Sequence, residues 1–313
     1  MYPSPRESVS GGHVIVEGAT SAAAVLERVG VDAPLGVFDS GLGGLTVVRA
    51  LRERLPNEDI IYLGDNARVP YGTRSPETII RYALGCAREL ADRGVKAIVV
   101  ACNTVSAVAL DRLRAELDLP VTGVILPGAR AATRAAGEAP VGVLGTLGTI
   151  SSGAYTRAVA SCSSRSEVLG QAAPLLVALA EEGWTEGEVP RLVVRKYLSA
   201  FFAPEEVEGF GLPRSAKVGC VVLGCTHFPL FRDLIEREIR ELGGRGIPVV
   251  DSAQQTAVEF EEFLTTRGMR TTRSEPGTLQ LLVTDKPKSF ESVASRFLGG
   301  VVPGVEQVDL KPA

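Results

Sequence analysis

A doubly wound α/β fold is what this sequence predicts, on three observations. Short apolar runs alternate with longer amphipathic stretches. Several of the short runs are β-branched and largely apolar, as in a parallel sheet covered on both faces. Small or polar residues follow nearly every run, which is where such sheets present their ligand-binding edge. The 313 residues suffice for two compact domains, and a hydrophobic fraction of 45% can fill their cores, which excludes a disordered chain or a coiled-coil rod.

In chain order, residues 1–33 read as an N-terminal extension with a short strand (His13–Val16) and a helix (Ser21–Val29). Strands are expected at Leu35–Phe38, Asp59–Leu63, Lys96–Ala101, Val121–Ile125, Val141–Leu144, Val218–Leu223, Pro248–Val250 and Leu279–Val283. Between them, Ser75-Pro76-Glu77 opens a helix with a cap, a proline at the first helical position and an acidic first turn. Its apolar residues Ile79, Ile80, Leu84 and Leu90 fall near one face. Another helix covers roughly Phe231 to Leu242, and Ala203–Ala216, rich in Pro, Gly and charge, reads as a loop.

Composition excludes several functions. A formal net charge of −4 and a pI near 5.5 leave no electrostatic footprint for nucleic acid. No apolar run approaches the roughly 18 residues of a membrane span. Met1 to Ser10 lacks the apolar core of a secretory signal, so a cytoplasmic location is expected. Five cysteines, at 86, 102, 162, 220 and 225, are an odd number in a long chain, which argues against a disulfide framework. With no C-x-x-C pair and only His13 and His227, a zinc site is poorly supplied, and no metal is expected.

Two segments resemble each other. Lys96 to Thr104 and Lys217 to His227 each run as an apolar strand, a small residue, a cysteine, two polar residues and then a helix. This weak internal repeat suggests two related half-structures, each presenting one thiol, Cys102 or Cys225, at a strand end. There a helix N-terminus favours thiolate. A thiolate and a thiol on opposite sides of one carbon supply a base and an acid. A single strand-end cysteine is more often a small buried hydrophobe; two matched turns favour the chemical reading. Cys86, mid-helix, and Cys220, mid-strand, read as core, and Cys162 carries no role. His227 is placed to tune Cys225 or bind a carboxylate, or to be satisfied locally at a helix start.

Asp39-Ser40-Gly41-Leu42-Gly43-Gly44 also follows a strand. No Lys-Ser or Lys-Thr follows it, so it is no P-loop, and the G-x-G-x-x-G spacing is absent. Its glycines allow close approach of backbone to a ligand, and Asp39 suits an ammonium group, unless it is only a cap. The loop Asp65 to Gly72 could offer backbone N–H groups to a carboxylate. Thr146 and Thr149 form a hydroxyl-bearing strand end, and Asn103, Thr104 and Thr226 add donors beside the cysteines. Together these neutral donors could hold an amino acid without metal or carrier.

The ordered set Gly36 to Gly44, Tyr62 to Asp65 with Pro70-Tyr71-Gly72, Ala101 to Thr104, Val143 to Thr149, Glu181-Glu182-Gly183 and Leu223 to Leu230 resembles the cofactor-independent aspartate/glutamate racemase family, at its glutamate racemases. The resemblance covers the chain from about Pro34 to its end. It implies two α/β domains in pseudo-twofold relation, residues 34–126 plus 248–313 and residues 127–247, with the active site at their interface. It implies Cys102 and Cys225 as the proton-transfer pair, Cys102 acting on the D-isomer and Cys225 on the L-isomer. By the same resemblance Asp39, Ser40, Tyr71, Gly72, Asn103, Thr104, Thr226 and His227 bind substrate, with Thr146 and Thr149 beside them. Asp39, Asp65, His227 and Glu182 (or its neighbour Glu181) support the reaction. No cofactor is expected. The expected partner is glutamate, the product D-glutamate would feed peptidoglycan in a bacterial cell wall, and a homodimer is the expected assembly. Asn66 and Ala173 depart from the commoner Thr and Cys. A relative acting on aspartate, a second inhibitory binding role and a one-cysteine hydrolase stand as alternatives. The Thr226-His227 pair and the Pro-Tyr-Gly loop disfavour the first, intact Cys102 and Cys225 argue against loss of catalysis in the second, and the last needs only one thiol, so single cysteine variants discriminate it.

Overall fold

The computed structural model describes residues 21–202, 216–244, 246–285 and 287–310. The strand expected at His13–Val16 and, Ala216 apart, the loop expected at Ala203–Ala216 lie outside them. Among the described residues ten strands form two sheets. They are β1 (Leu35–Asp39), β2 (Ile60–Gly64), β3 (Ala97–Val100), β4 (Val121–Gly123), β5 (Val141–Gly145), β6 (Val168–Ala172), β7 (Cys220–Gly224), β8 (Val249–Asp251), β9 (Leu279–Val283) and β10 (Val305–Gln307). Every pairing is parallel. The orders are β10-β9-β2-β1-β3-β4 and β6-β5-β7-β8.

All eight expected strands appear, with ends shifted by a few residues. Val121–Ile125 is shorter than expected because Ile125 already opens the helix Ile125–Ala136. Strands β6 and β10 are additions. Both lie at sheet edges and are only partly buried, so they carry neither a long apolar run nor a clean alternation. Strands β1, β2, β5 and β7 are buried at every position, the covered-on-both-faces pattern that the sequence carries.

The first four strands and the next four have the same order. In each set the chain starts at an inner strand, steps to one side, then crosses to the other for the third and fourth strands. The strand order therefore reverses between β1 and β3, and again between β5 and β7. In open parallel sheets such reversal points open a crevice at the carboxyl ends of the strands. Asp39 and Cys102 follow one such crevice, and Thr146 and Cys225 the other. The strand at Val249–Asp251, which a division at 248 put with the first sheet, pairs instead with β7, Val221 opposite Val249. The helix Ser252–Thr266 then packs on both Leu45–Arg54 of the first half and Ile125–Ala136 of the second.

Helix ends follow local rules. Ser75 caps the helix Pro76–Asp92 by accepting from the Thr78 N–H at 3.4 Å. The expected helix from Phe231 runs over Arg232–Glu241, behind a short 3₁₀ turn at Phe228–Phe231 that Pro229 favours. In the N-terminal extension the helix Ala22–Val29 buries Ala22 and Val25 and ties Arg28 to the Asp118 carbonyl at 2.9 Å. Among the described residues no helix is long and apolar enough to cross a membrane.

The end of the first sheet opposite the crevice is pinned by charge. Lys96, just ahead of β3, is fully buried; its Nζ lies 2.6 Å from Glu58 Oε2 and donates to the Val31 carbonyl at 2.7 Å. Glu58 in turn accepts from the Thr271 N–H at 2.7 Å. Removing one partner of such a buried pair strands the other charge away from water. Lys96→Met is expected to lower unfolding free energy by about 3–5 kcal/mol, and Lys96→Met with Glu58→Gln by less, both measured by urea denaturation.

Candidate active site

Two cysteine turns meet between the halves. Cys102 caps the helix Asn103–Val108 after β3 with extended backbone, and Cys225 follows β7. Both are buried, at 6% and 5% exposure. The Cys102 Sγ donates to Ser40 Oγ at 3.6 Å. Burial, reinforced by the neighbouring Asp39 carboxylate, pushes the Cys102 thiol up to about 12.

The surroundings of Cys225 differ. Its sulfur lies 3.8 Å from His227 Nδ1, and His227 Nε2 lies 3.2 Å from Glu181 Oε1. Burial alone would lower the imidazole. The Cys225 sulfur and the Glu181 carboxylate outweigh it, with help from Asp39, and lift His227 to about 10. Of the acidic pair it is Glu181 that reaches the imidazole. Glu182, expected in that role, is exposed and makes no described contact with the site, because consecutive helical side chains point about 100° apart.

Asp39 ends β1 in full burial. Its Oδ2 accepts from the Gly41 N–H at 3.1 Å, while Oδ1 has no hydrogen-bond partner. Burial raises its carboxyl above the usual range, against the pull of His227. Asn103 mirrors this: its Oδ1 accepts from the Tyr155 hydroxyl at 2.9 Å, and its buried Nδ2 is unpartnered. Such orphaned polar groups are costly in a sealed site and await a ligand of opposite polarity. One acceptor and one donor are what an ammonium and a carboxylate require.

The remaining expected residues divide into those that line the site and those that hold it. Thr104 and Thr146 hydroxyls sit 2.9 Å apart across the two halves, and Thr149 lies 3.0 Å from Thr146 and 3.3 Å from Thr104. The loop around Gly72 rests on Thr146, and a methyl group on Gly72 would stand 3.3 Å from its Cβ. Tyr71 does not offer its hydroxyl to a ligand, since it donates to Asp65 Oδ2. Asp65 is wholly buried and also receives Arg68 Nε at 2.7 Å and the Thr284 hydroxyl at 2.9 Å. It secures the loop. Tyr155, Thr284 and Glu181's bond to His227 carried no local signal in the sequence. Each acts through a partner that only the tertiary fold brings near. Among the described residues no group of three or more His, Cys, Asp or Glu side chains is placed to hold a metal ion.

The glycine turn receives protein rather than phosphate. The Thr46 hydroxyl stands 2.9 Å from the Gly43 carbonyl and 3.0 Å from the Thr226 carbonyl, joining the two halves. A methyl group at Gly43 would overlap Thr226 Oγ1 and come within 2.6 Å of His227 Nδ1. Gly43→Ala is therefore expected to cost about 1–3 kcal/mol of stability, read by thermal unfolding, and to displace the Cys225 turn.

The Asp/Glu/Hydantoin racemase family matches residues 45–260. A glutamate racemase of Geobacter metallireducens is 47% identical over 277 residues, covering 88% of this chain and 97% of its own. Among solved structures, a glutamate racemase isoform from Bacillus anthracis superposes with a TM-score of 0.79 at 34% identity, covering 89% of this chain and 98% of its own. The glutamate racemase of Francisella tularensis in complex with D-glutamate gives 0.76 at 36% identity, over 89% and 98%. With the family match taking in the turns at both Cys102 and Cys225, the chain belongs to the Asp/Glu/hydantoin racemases and sits among their glutamate racemases.

Proposed function

We propose that the chain interconverts L- and D-glutamate without a cofactor by passing a proton between Cys102 and Cys225, and that the D-glutamate serves peptidoglycan synthesis. One observation carries the reading. The equivalent third strands of two halves with one topology are each followed by a cysteine, and beside Cys102 stand the bare carboxylate oxygen of Asp39 and the bare amide nitrogen of Asn103. Glutamate as substrate is supported by the names of the relatives and by the neighbour bound to D-glutamate.

In the proposed geometry Asp39 Oδ1 accepts from the substrate ammonium and Asn103 Nδ2 donates to a carboxylate. The hydroxyls of Ser40, Thr104, Thr146, Thr149 and Thr226, and the backbone at Tyr71 and Gly72, complete the cradle. From the L side, the Cys225 thiolate takes the α-proton, and the electron pair stays on Cα beside the carboxylate. The Cys102 thiol then delivers its proton to the opposite face. Cys225 ends as thiol and Cys102 as thiolate, and the reverse direction exchanges the roles. No electron leaves the substrate. The His227 imidazolium, oriented by Glu181, stabilises the Cys225 thiolate. Asp65 positions the Tyr71 loop. Burial of the site keeps water from the carbanion and strengthens each charge contact.

Circular dichroism of L-glutamate incubated with the protein in EDTA, with no cofactor added, is expected to decay to zero, and faster than for L-aspartate in parallel. Cys102→Ser and Cys225→Ser are each expected to lower kcat by about 10²–10⁴-fold; full turnover in either variant would overturn the two-thiol scheme, since a one-cysteine hydrolase tolerates such a loss. In heavy water each product molecule is expected to carry deuterium at Cα by mass spectrometry. Complete retention of the original proton is incompatible with two separate bases.

A further inference from the structure

His227 is held on three sides. Cys225 faces Nδ1 and Glu181 faces Nε2, as described, and the third side is Phe297. The two rings meet edge to face, centroids 5.3 Å apart and planes at 83°. Phe297 is fully buried on the helix Pro287–Leu298, which follows β9. Its neighbour Arg296 donates from Nη1 to the Glu181 carbonyl at 3.3 Å. The guanidinium lies against Gly183, whose φ of +78° closes the helix Pro174–Glu182, and a methyl group there would come within 2.6 Å of Arg296 Cζ. One turn of the C-terminal helix thus grips both the imidazole and the backbone of its carboxylate partner.

An imidazole that serves a sulfur at one nitrogen and a carboxylate at the other has a single useful ring plane. Contacts at the two ends leave rotation between them weakly restrained, because Glu181 is itself half exposed. A buried aromatic ring packed edge to face with the imidazole restrains that rotation. We propose that Phe297, braced by Arg296, is a positioning residue for the proton transfer: it fixes the plane of His227 so that Nδ1 addresses the Cys225 sulfur. The proposal rests on the racemase reading above. The titratable groups facing His227 are Cys225, Glu181 and Asp39, and those facing the Cys225 sulfur further include Cys102 and Tyr155. Phe297 brings no charge of its own, so its replacement changes geometry alone.

The test uses the full chain without substrate. Iodoacetamide alkylation is followed across pH at Cys225 and Cys102 separately by peptide mass spectrometry. In Phe297→Leu the Cys225 profile is expected to move up by about one pH unit, making alkylation about tenfold slower at a fixed pH below it, while the Cys102 profile stays in place. Phe297→Tyr, which keeps an aromatic ring, restores the wild-type profile. Arg296→Gln lies on the exposed side of the helix, keeps the fold if Phe297→Leu does not, and shifts Cys225 in the same direction by less. An unmoved Cys225 profile in the folded variants, or equal shifts at both cysteines, overturns the proposal. Because the measurement needs no turnover, the two failures are distinguishable: a shifted profile in a protein that fails to racemise glutamate sinks the racemase reading and with it the role in proton transfer, whereas an unmoved profile in an active racemase sinks the positioning alone.

Discussion

Everything at this site depends on sealing two thiols away from water while leaving them unlike each other. Cys102 and Cys225 occupy the same place in two copies of one strand order, yet their neighbours carry opposite charge. Asp39 stands beside the first and disfavours its thiolate, whereas the second faces His227, an imidazole held well above its ordinary range. In bulk water these effects would be screened to a fraction of their strength. Burial below a tenth of full exposure is what allows a single carboxylate or imidazole to decide where a proton rests.

The scaffold explains how such unlike neighbours are kept in register. The glycine turn after β1 lets the first half approach the Thr226-His227 backbone, and Thr46 fastens the contact. On the far wall Asp65 gathers Tyr71, Arg68 and Thr284, so the loop over Thr146 is held by β9 as well as by its own strand. The Lys96–Glu58 pair lies at the other end of the first sheet, where it ties strands together without touching the chemistry. Stability and reactivity are thereby assigned to opposite edges of the same sheet.

The sequence made much of this legible because parallel strands buried on both faces leave unbroken apolar runs, and crevice residues follow those runs directly. Cys102, Cys225, Asp39, Asn103 and the four threonines at 104, 146, 149 and 226 could each be read as a residue shortly past a strand. What escaped was contact that spans the chain. Strands β6 and β10 carry mixed composition because edge strands are only half covered. The choice of Glu181 over Glu182 depends on helix phase relative to His227, which lies 46 residues away. The Tyr71 hydroxyl was taken by Asp65 only six residues back, but nothing in that spacing announces a closed pair.

The doubled strand order also bears on energetics. Mirror-image amino acids have equal free energy in water, so no arrangement of charges in a catalyst can tilt their final mixture. Two walls of common architecture are a natural answer to a reaction with no downhill side. The unequal charges planted on those walls can then govern only which antipode lingers on the protein, and so how crowded each direction of traffic becomes before the equal mixture is reached.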